Sequence, residues 1–363
     1  MHSIKIIGAG SIGNHIAHAS ASRGWTVTLT DIDPAALERT KTSIYPGRYG
    51  SWNDAIRLKS TDEAMADPAD VVFIGTPPDT HIRIANAILD RMTPKAIVLE
   101  KPLCGPDLAG CAALSARIAK AGIFGGVGYN HVLGLNTVLA EKLLATGDIG
   151  TVSTISSRTR EHWGGIFRAH PWLSGPSDTY LGFASRGGGA TGEHSHAINI
   201  WQHFAHRLGA GKVKTVSATL DMVQEGGADY DRLCLATLTT TEGLTGDVIQ
   251  DVVTAPVEKS CRIQGSKGFI DWRVGYKPGH DAVLHGAGEQ VDEQLIAKTR
   301  ADDFKVEIEH LEDVLAGKIK QSPISLERGL DTMMVIAAIF KSHREGRRVT
   351  IDWNAGYDLS ALH

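Results

Sequence analysis

Six residues near the start of the chain constrain its fold more than any other stretch: Gly8-Ala9-Gly10-Ser11-Ile12-Gly13. They follow the short apolar run Ile4-Lys5-Ile6-Ile7 and precede an apolar-periodic stretch from Ile12 to about Ser22. The segment therefore reads as a turn from a strand into a helix. In such a turn the first glycine allows a tight bend. The second lets backbone approach a pyrophosphate, and the third lets helix pack closely on strand. The phosphates sit on free N–H groups at the positive helix end. A lone GxGxxG arises often by chance, so its context carries the weight. Trp25 to Thr30 is β-branched and alternating, a second strand that ends at Asp31. A carboxylate there can accept both hydroxyls of an adenosine ribose and repels a 2′-phosphate. Asp33 adds a second negative charge, and positions 31–38 hold no Arg or Lys. Gly8, Gly10, Ser11, Ile12, Gly13, Asp31 and Ile32 are thus expected to bind NAD rather than NADP. The plain alternative is a helix-capping Asp that meets no ligand.

Strand and helix keep alternating through the first third. Pro34 to about Thr42 reads as a helix capped by Asp33, and Asp70–Gly75 as a buried strand. A helix from about Thr80 to Met92, a strand at Ala96–Glu100, a helix over 106–121 and a strand at Phe124–Gly128 follow. Such units imply an α/β fold with a parallel, doubly wound Rossmann sheet, here over residues 1–127. After a helix from about Leu135 to Thr146 the pattern changes. Long β-branched stretches appear at 152–159, 213–223, 232–241, 244–253 and 258–264, joined by turns such as Glu242-Gly243. A helix is expected from about Glu193 to Arg207, and two more at about 303–316 and 326–344. Residues 128–363 therefore read as a second, α+β domain with a large, mostly antiparallel open sheet. Its last helix could pack back on the first domain.

Composition sets outer limits. A chain of 363 residues suits two domains at roughly 150 residues each. It is 42% hydrophobic and 21% charged, as an ordinary globular protein is. A formal net charge of −4 argues against a nucleic-acid binder. No apolar run reaches the roughly 18 residues of a membrane span. The strand reached by Lys5 leaves no room for a signal peptide. The four cysteines (104, 111, 234 and 261) show no metal-like spacing and read as buried thiols. Few cysteines in a long chain suit a reducing compartment, so a cytoplasmic location is expected.

Two loops fall at the carboxyl edge of the parallel strands, where such sheets bind ligands. One is Thr76-Pro77-Pro78-Asp79-Thr80-His81. Thr76, Pro77 and His81 would meet the nicotinamide half of the cofactor, with His81 fitting packing at a helix start better than chemistry. The other is Glu100-Lys101-Pro102. Pro102 ends the ladder, and Lys101 would point into the crevice. A lysine beside the cationic ring and partly desolvated should give up its proton more readily. It could then bond a substrate hydroxyl and relay its proton. The plain alternative is a surface lysine in a turn.

Together with Gly128-Tyr129-Asn130, these motifs resemble the Gfo/Idh/MocA oxidoreductases, a family that includes glucose-fructose oxidoreductase and inositol dehydrogenase. Gly187-Gly188-Gly189 before a helix with His196, the turn Gly265-Ser266-Lys267-Gly268, Leu326–Asp331 and Gly346–Val349 extend the likeness over nearly the whole chain. The resemblance implies hydride transfer between nicotinamide and a hydroxyl carbon of a sugar or cyclitol. It also implies a homodimer or homotetramer formed through the second-domain sheet. Lys101 matches the family's Glu-Lys-Pro lysine, which binds and activates substrate. Glu100 and Asn130 go with the cofactor, Tyr129 and His131 with the substrate. His196 matches a family histidine. Two departures stand out. The family's Asp four residues before that histidine falls on Gly192, or on Glu193 after a one-residue deletion. The Arg that commonly follows Gly-Tyr-Asn-x is Val132.

Glu193 and His196 are three apart, so on one helix they share a face. Glu193 could orient His196 or share its proton. Buried, satisfied histidines are the plain reading for His194, His203 and His206. Metal binding is not needed for the chemistry, and no metal is expected. Residues 161–186 read as a substrate loop, with Arg158 just before it. Trp163, Trp172 and Tyr180 offer stacking faces, and Arg158 and Arg168 offer forks for an anionic sugar. The alternative is a packed loop with its arginines in water. Three functions compete. The first is an NAD-dependent dehydrogenase acting on a sugar, sugar acid or cyclitol, with Lys101, His196 and Glu193 as its catalytic set. The second is a glycosidase that oxidises transiently, eliminates, hydrates and re-reduces with recycled NAD. The third is a non-catalytic dinucleotide or sugar sensor, which the presence of Lys101 disfavours.

Overall fold

The computed structural model describes residues 2–168 and 172–363. The first half builds β1 (Ser3–Ile7), α1 (Ser11–Ser22), β2 (Thr26–Asp31), α2 (Pro34–Arg39), α3 (Tyr45–Tyr49) and β3 (Ile56–Ser60). Then come α4 (Thr61–Ala64), β4 (Val71–Ile74), α5 (Pro78–Leu89), β5 (Ala96–Leu99), α6 (Cys111–Ala121) and β6 (Phe124–Val127). The six strands form one parallel sheet, ordered β3-β2-β1-β4-β5-β6. Every residue of β4 and β5 is buried, because helices cover both faces of a parallel sheet. Strand order reverses between β1 and β4, which opens the crevice where such folds hold ligands. The edge strand β3 was not expected. Its sequence, Ile-Arg-Leu-Lys-Ser, buries only Ile56 and carries a weak apolar signal.

The second half contains α7 (Leu135–Thr146), β7 (Val152–Arg160), α8 (Gly164–Arg168), α9 (Gly189–Glu193), α10 (His196–Arg207), β8 (Val213–Glu225), β9 (Ala228–Thr240) and β10 (Thr245–Asp251). It continues with β11 (Glu258–Gly265), β12 (Phe269–Lys277), β13 (His280–Ala287), β14 (Gln290–Ala297), α11 (Arg300–Leu315), α12 (Leu326–Glu345) and β15 (Val349–Thr350). The sheet runs β14-β13-β12-β11-β7-β10-β9-β8-β15 and is antiparallel except for β7 beside β10. Strands β12–β14 extend it past the expected set. Strand β14 has no buried residue, so it lacks the alternating apolar signal. Helix α10 packs on one face, where buried Trp201 donates Nε1–H to the Ile155 carbonyl at 2.9 Å. Strand alternation turns Arg158 and Arg160 to the other face.

The expected helix over 106–121 starts only at Cys111, after Gly110 in the left-handed region at φ 76°. The helix expected from Glu193 divides into α9 and α10, with His194 and Ser195 between them. Two late helices reach back to the parallel sheet. On α11, Phe304 stacks on His15 of α1 with ring centres 4.5 Å apart. Before α12, the Ile324 carbonyl accepts the Val127 N–H at 2.8 Å. All four cysteines are free and buried, and the sulfurs of Cys104 and Cys111 lie 3.1 Å apart. Among the described residues no helix is long and apolar enough to cross a membrane.

Candidate active site

The glycine turn has the geometry its spacing demands. Gly8 sits at φ +109°, and a Cβ on Gly13 would stand 1.9 Å from the Gly8 carbonyl oxygen. A Cβ on Gly10 would meet nothing within 4 Å, which leaves open space at the start of α1. One Asp31 oxygen accepts the Ala9 N–H at 2.8 Å and the other the Asp33 N–H at 2.9 Å. The end of β2 is thereby tied to the turn. Ile32 beside it is 84% exposed. Thr76 Oγ1 bonds Thr80 Oγ1 at 2.7 Å. His81 is fully buried between the Thr76 carbonyl at 2.7 Å and the Leu103 carbonyl at 3.1 Å, and its neutral ring donates to one of them. Burial holds its pKa down at about 4. His81 is therefore a clamp between the two ligand-edge loops, and Pro77 caps α5.

At the far end of the crevice Lys101 meets α9. Its Nζ donates to the Glu193 carbonyl at 2.8 Å and lies 3.2 Å from Glu193 Oε2. Tyr180 O–H donates to the same Oε2 at 3.1 Å. Burial opposes charge on Glu193, but Lys101, His194 and these hydrogen bonds outweigh it and hold its pKa below the usual range. Glu100 behaves oppositely. Burial pushes its pKa up to about 7, although its carboxylate accepts the Lys101 N–H. Behind it, Glu307 of α11 is fully buried and rises to about 8 through burial and the nearby Glu100. Asn130 donates to Glu307 at 3.4 Å.

Three histidines line the second-domain side. His131 and His196 stack at 3.9 Å, with Tyr129 edge-on to His196 at 5.5 Å. Tyr129 donates to Ser195 Oγ at 3.2 Å. Burial, reinforced by cations that include Lys101 and Lys259, depresses the pKa of both stacked histidines, so both are neutral near pH 7. His196 Nδ1 and His194 Nε2 are buried and have no protein partner. Burial lowers the His194 pKa to about 4. Such orphaned ring nitrogens suit a ligand hydroxyl.

Not every expected residue joins this group. Arg158 lies on the sheet face away from α10, opposite Ile249 and Ser260. Trp163 is packed on Tyr230 at 4.6 Å inside a small apolar cluster. Arg168 is exposed at the end of α8, and Trp172 lies over the Arg39 guanidinium at 5.5 Å. His170, within the expected substrate loop, lies outside the described residues.

A model of the oxidoreductase family's NAD-binding Rossmann fold matches residues 3–129, and one of the GFO/IDH/MocA C-terminal domain matches 137–271. The chain belongs to the Gfo/Idh/MocA family. Similar solved structures include an aldose-aldose oxidoreductase from Caulobacter crescentus complexed with glycerol, at 21% identity and TM-score 0.76, covering 96% of this chain and 99% of that one. A levoglucosan dehydrogenase in complex with NADH has 18% identity and TM-score 0.78, with coverage of 97% and 99%. A putative myo-inositol dehydrogenase from Sinorhizobium meliloti has 22% identity and TM-score 0.74, with coverage of 97% and 100%. At these identities the likeness is one of fold. No curated protein matches the sequence.

This Gfo/Idh/MocA chain is an NAD-binding oxidoreductase, and its residues fit the dinucleotide. The open space at Gly10 and the uncapped start of α1 would take the pyrophosphate, and the Asp31 carboxylate would take the ribose. Sequence reading missed Glu307, Glu161 and Lys259. Glu161 pairs with Lys259 at 2.6 Å. Burial opposes charge on Glu161, but Lys259 prevails and lowers its pKa. The available signal was a charge interrupting an apolar pattern. Glu307 shares a helix stripe with Phe304, Ile308 and Leu311, and Lys259 shares a strand face with Cys261 and Ile263.

Proposed function

We propose that the protein is an NAD-dependent dehydrogenase that oxidises a hydroxyl carbon of a sugar, sugar acid or cyclitol, or runs that reaction in reverse. The observation that carries this is the Lys101–Glu193–Tyr180 arrangement at the ligand edge of the parallel sheet. Bound NAD supplies the hydride acceptor at nicotinamide C4. Lys101 presents its ammonium group to the reacting hydroxyl, and Glu193 fixes where that ammonium stands. The neutral His196 would take up the hydroxyl proton at Nδ1 and return it in the reverse direction. Tyr129 and His131 hold the His196 ring in place. Buried walls exclude water and keep these interactions strong.

The deciding experiment is a screen of free sugars, sugar acids, cyclitols and glycosides with NAD, read for NADH and for released aglycone. Stoichiometric NADH from an unmodified polyol or sugar supports the proposal. Aglycone release with only catalytic NAD would replace it with the oxidoreductive glycosidase. The proposal includes a homo-oligomer formed by the open sheet face, where Leu235 is 42% exposed opposite Thr219 and Ile249. Light scattering after gel filtration tests that part, and a monomer rejects it. Four free, buried cysteines suit action in the cytoplasm.

A further inference from the structure

A guanidinium half withdrawn from water normally meets a carboxylate as well as neutral acceptors. Arg48 of α3 departs from that rule. Its guanidinium lies over the first turn of α1. Nη1 donates to the Ser11 carbonyl at 2.8 Å, and Nη2 donates to Ser11 Oγ at 2.8 Å. Among the described residues no carboxylate stands within ion-pair distance of it. Burial is the main influence on its pKa, which it lowers, and the nearby Arg300 adds like-charge repulsion. Arg300 differs in having its own carboxylate, Asp303, at 3.0 Å.

The first turn of α1 lacks an anion of its own, since the Asp31 carboxylate bonds the Ala9 N–H ahead of it. That turn has no acidic residue, and no side chain caps it. The positive end of a helix and an unpaired guanidinium thus converge on Ser11, one residue beyond the open space at Gly10. An anion of at least one negative charge would complete both.

We propose that Arg48 is a pyrophosphate-holding residue for NAD, reaching the phosphates from α3 across the Ser11 side of the glycine turn. Ser11 then orients the guanidinium, leaving its remaining N–H groups for phosphate oxygens. The inference concerns the cofactor and is independent of the sugar reading, so a failed substrate screen leaves it standing.

The test is NADH binding by calorimetry at several salt concentrations, with the melting temperature of the cofactor-free protein measured alongside. Arg48→Met should weaken NADH about 10-fold or more and flatten the salt dependence of binding. The cofactor-free melting temperature should hold or rise, because an unpaired charge has been removed. Arg48→Lys, which keeps charge but loses the fork, should fall between the two and guards against a misfolded Met variant. NADH affinity within about twofold of wild type in Arg48→Met would overturn the proposal. So would an unchanged salt dependence. A drop in cofactor-free stability that accompanies the affinity loss in both variants would also overturn it, since Arg48 would then be a strut between α3 and α1.

Discussion

Lys101 is held twice by Glu193: Nζ lies 2.8 Å from its backbone carbonyl oxygen and 3.2 Å from its carboxylate. One contact survives any side-chain substitution at 193, and the other does not. The pair joins the parallel sheet to α9, so the amine's position depends on how the two halves of the chain meet.

Lys101→Met should lower kcat by about 10²–10³-fold, in the range of a lost donor to the oxygen on which charge develops. Glu193→Gln keeps the backbone contact and should cost about 10–100-fold. NADH affinity should change by no more than a few-fold in either. His196→Ala should likewise lower turnover far more than it weakens NADH. Steady-state kinetics beside NADH titration decides, and near-normal turnover in any of the three removes that residue from the mechanism.

Asp31→Ser combined with Ile32→Arg should improve the use of NADP at the expense of NAD. The first change removes the carboxylate that repels a 2′-phosphate. The second places a cation on a side chain that is already 84% exposed. The kcat/KM ratio for the two dinucleotides is the measurement, and unchanged affinity for both would refute the ribose assignment.

Gly10→Ala and Gly13→Ala should separate binding from folding. Gly10 has φ −76°, which alanine adopts readily, and an added methyl meets no protein atom within 4 Å. Stability should stay within about 0.5 kcal/mol, while NADH weakens about 10-fold or more because the methyl fills the phosphate approach. In Gly13→Ala the methyl stands 1.9 Å from the Gly8 carbonyl oxygen. Its melting temperature should fall by several degrees even without cofactor. Equal thermal stability of the two variants would contradict this division.

Glu307 makes stability depend on pH. Its folded pKa of about 8 lies above the ordinary glutamate value of 4.5, so between those limits the folded state holds the proton more tightly. Its contribution is therefore lost as pH rises from about 4.5 to about 8 and is flat above. Glu307→Gln should match wild type near pH 5 and be more stable near pH 9, by up to about 4 kcal/mol. Denaturant midpoints across that range check this. A difference constant with pH would mean that Glu307 is ionised in the fold.

Several parts of the site were legible because they depend on local chain geometry. The glycine turn, Asp31 at the end of β2 and the Glu-Lys-Pro loop after β5 are each set by a few adjacent residues. The buried strands β4 and β5 showed as unbroken apolar runs for the same reason. Arg158 shows the limit. Strand β7 carries Ser and Thr on both faces and one aliphatic residue on each, Val152 and Ile155, so its sequence does not decide which side meets α10. The buried row proved to be Ile155, Ser157 and Thr159, which turned Arg158 away from the site.

By itself, then, the sequence determined the two-part α/β architecture, the dinucleotide turn and the amine at its edge, all consequences of short-range periodicity and backbone chemistry. Only the tertiary structure decided that Glu193 meets that amine with Tyr180 bonded to its carboxylate, that His131 stacks on His196, and that Glu307 of α11 and Arg48 of α3 reach the ligand edge. Those contacts join residues separated by tens to hundreds of positions. Their geometry follows from how sheets and helices pack, and no local pattern encodes it.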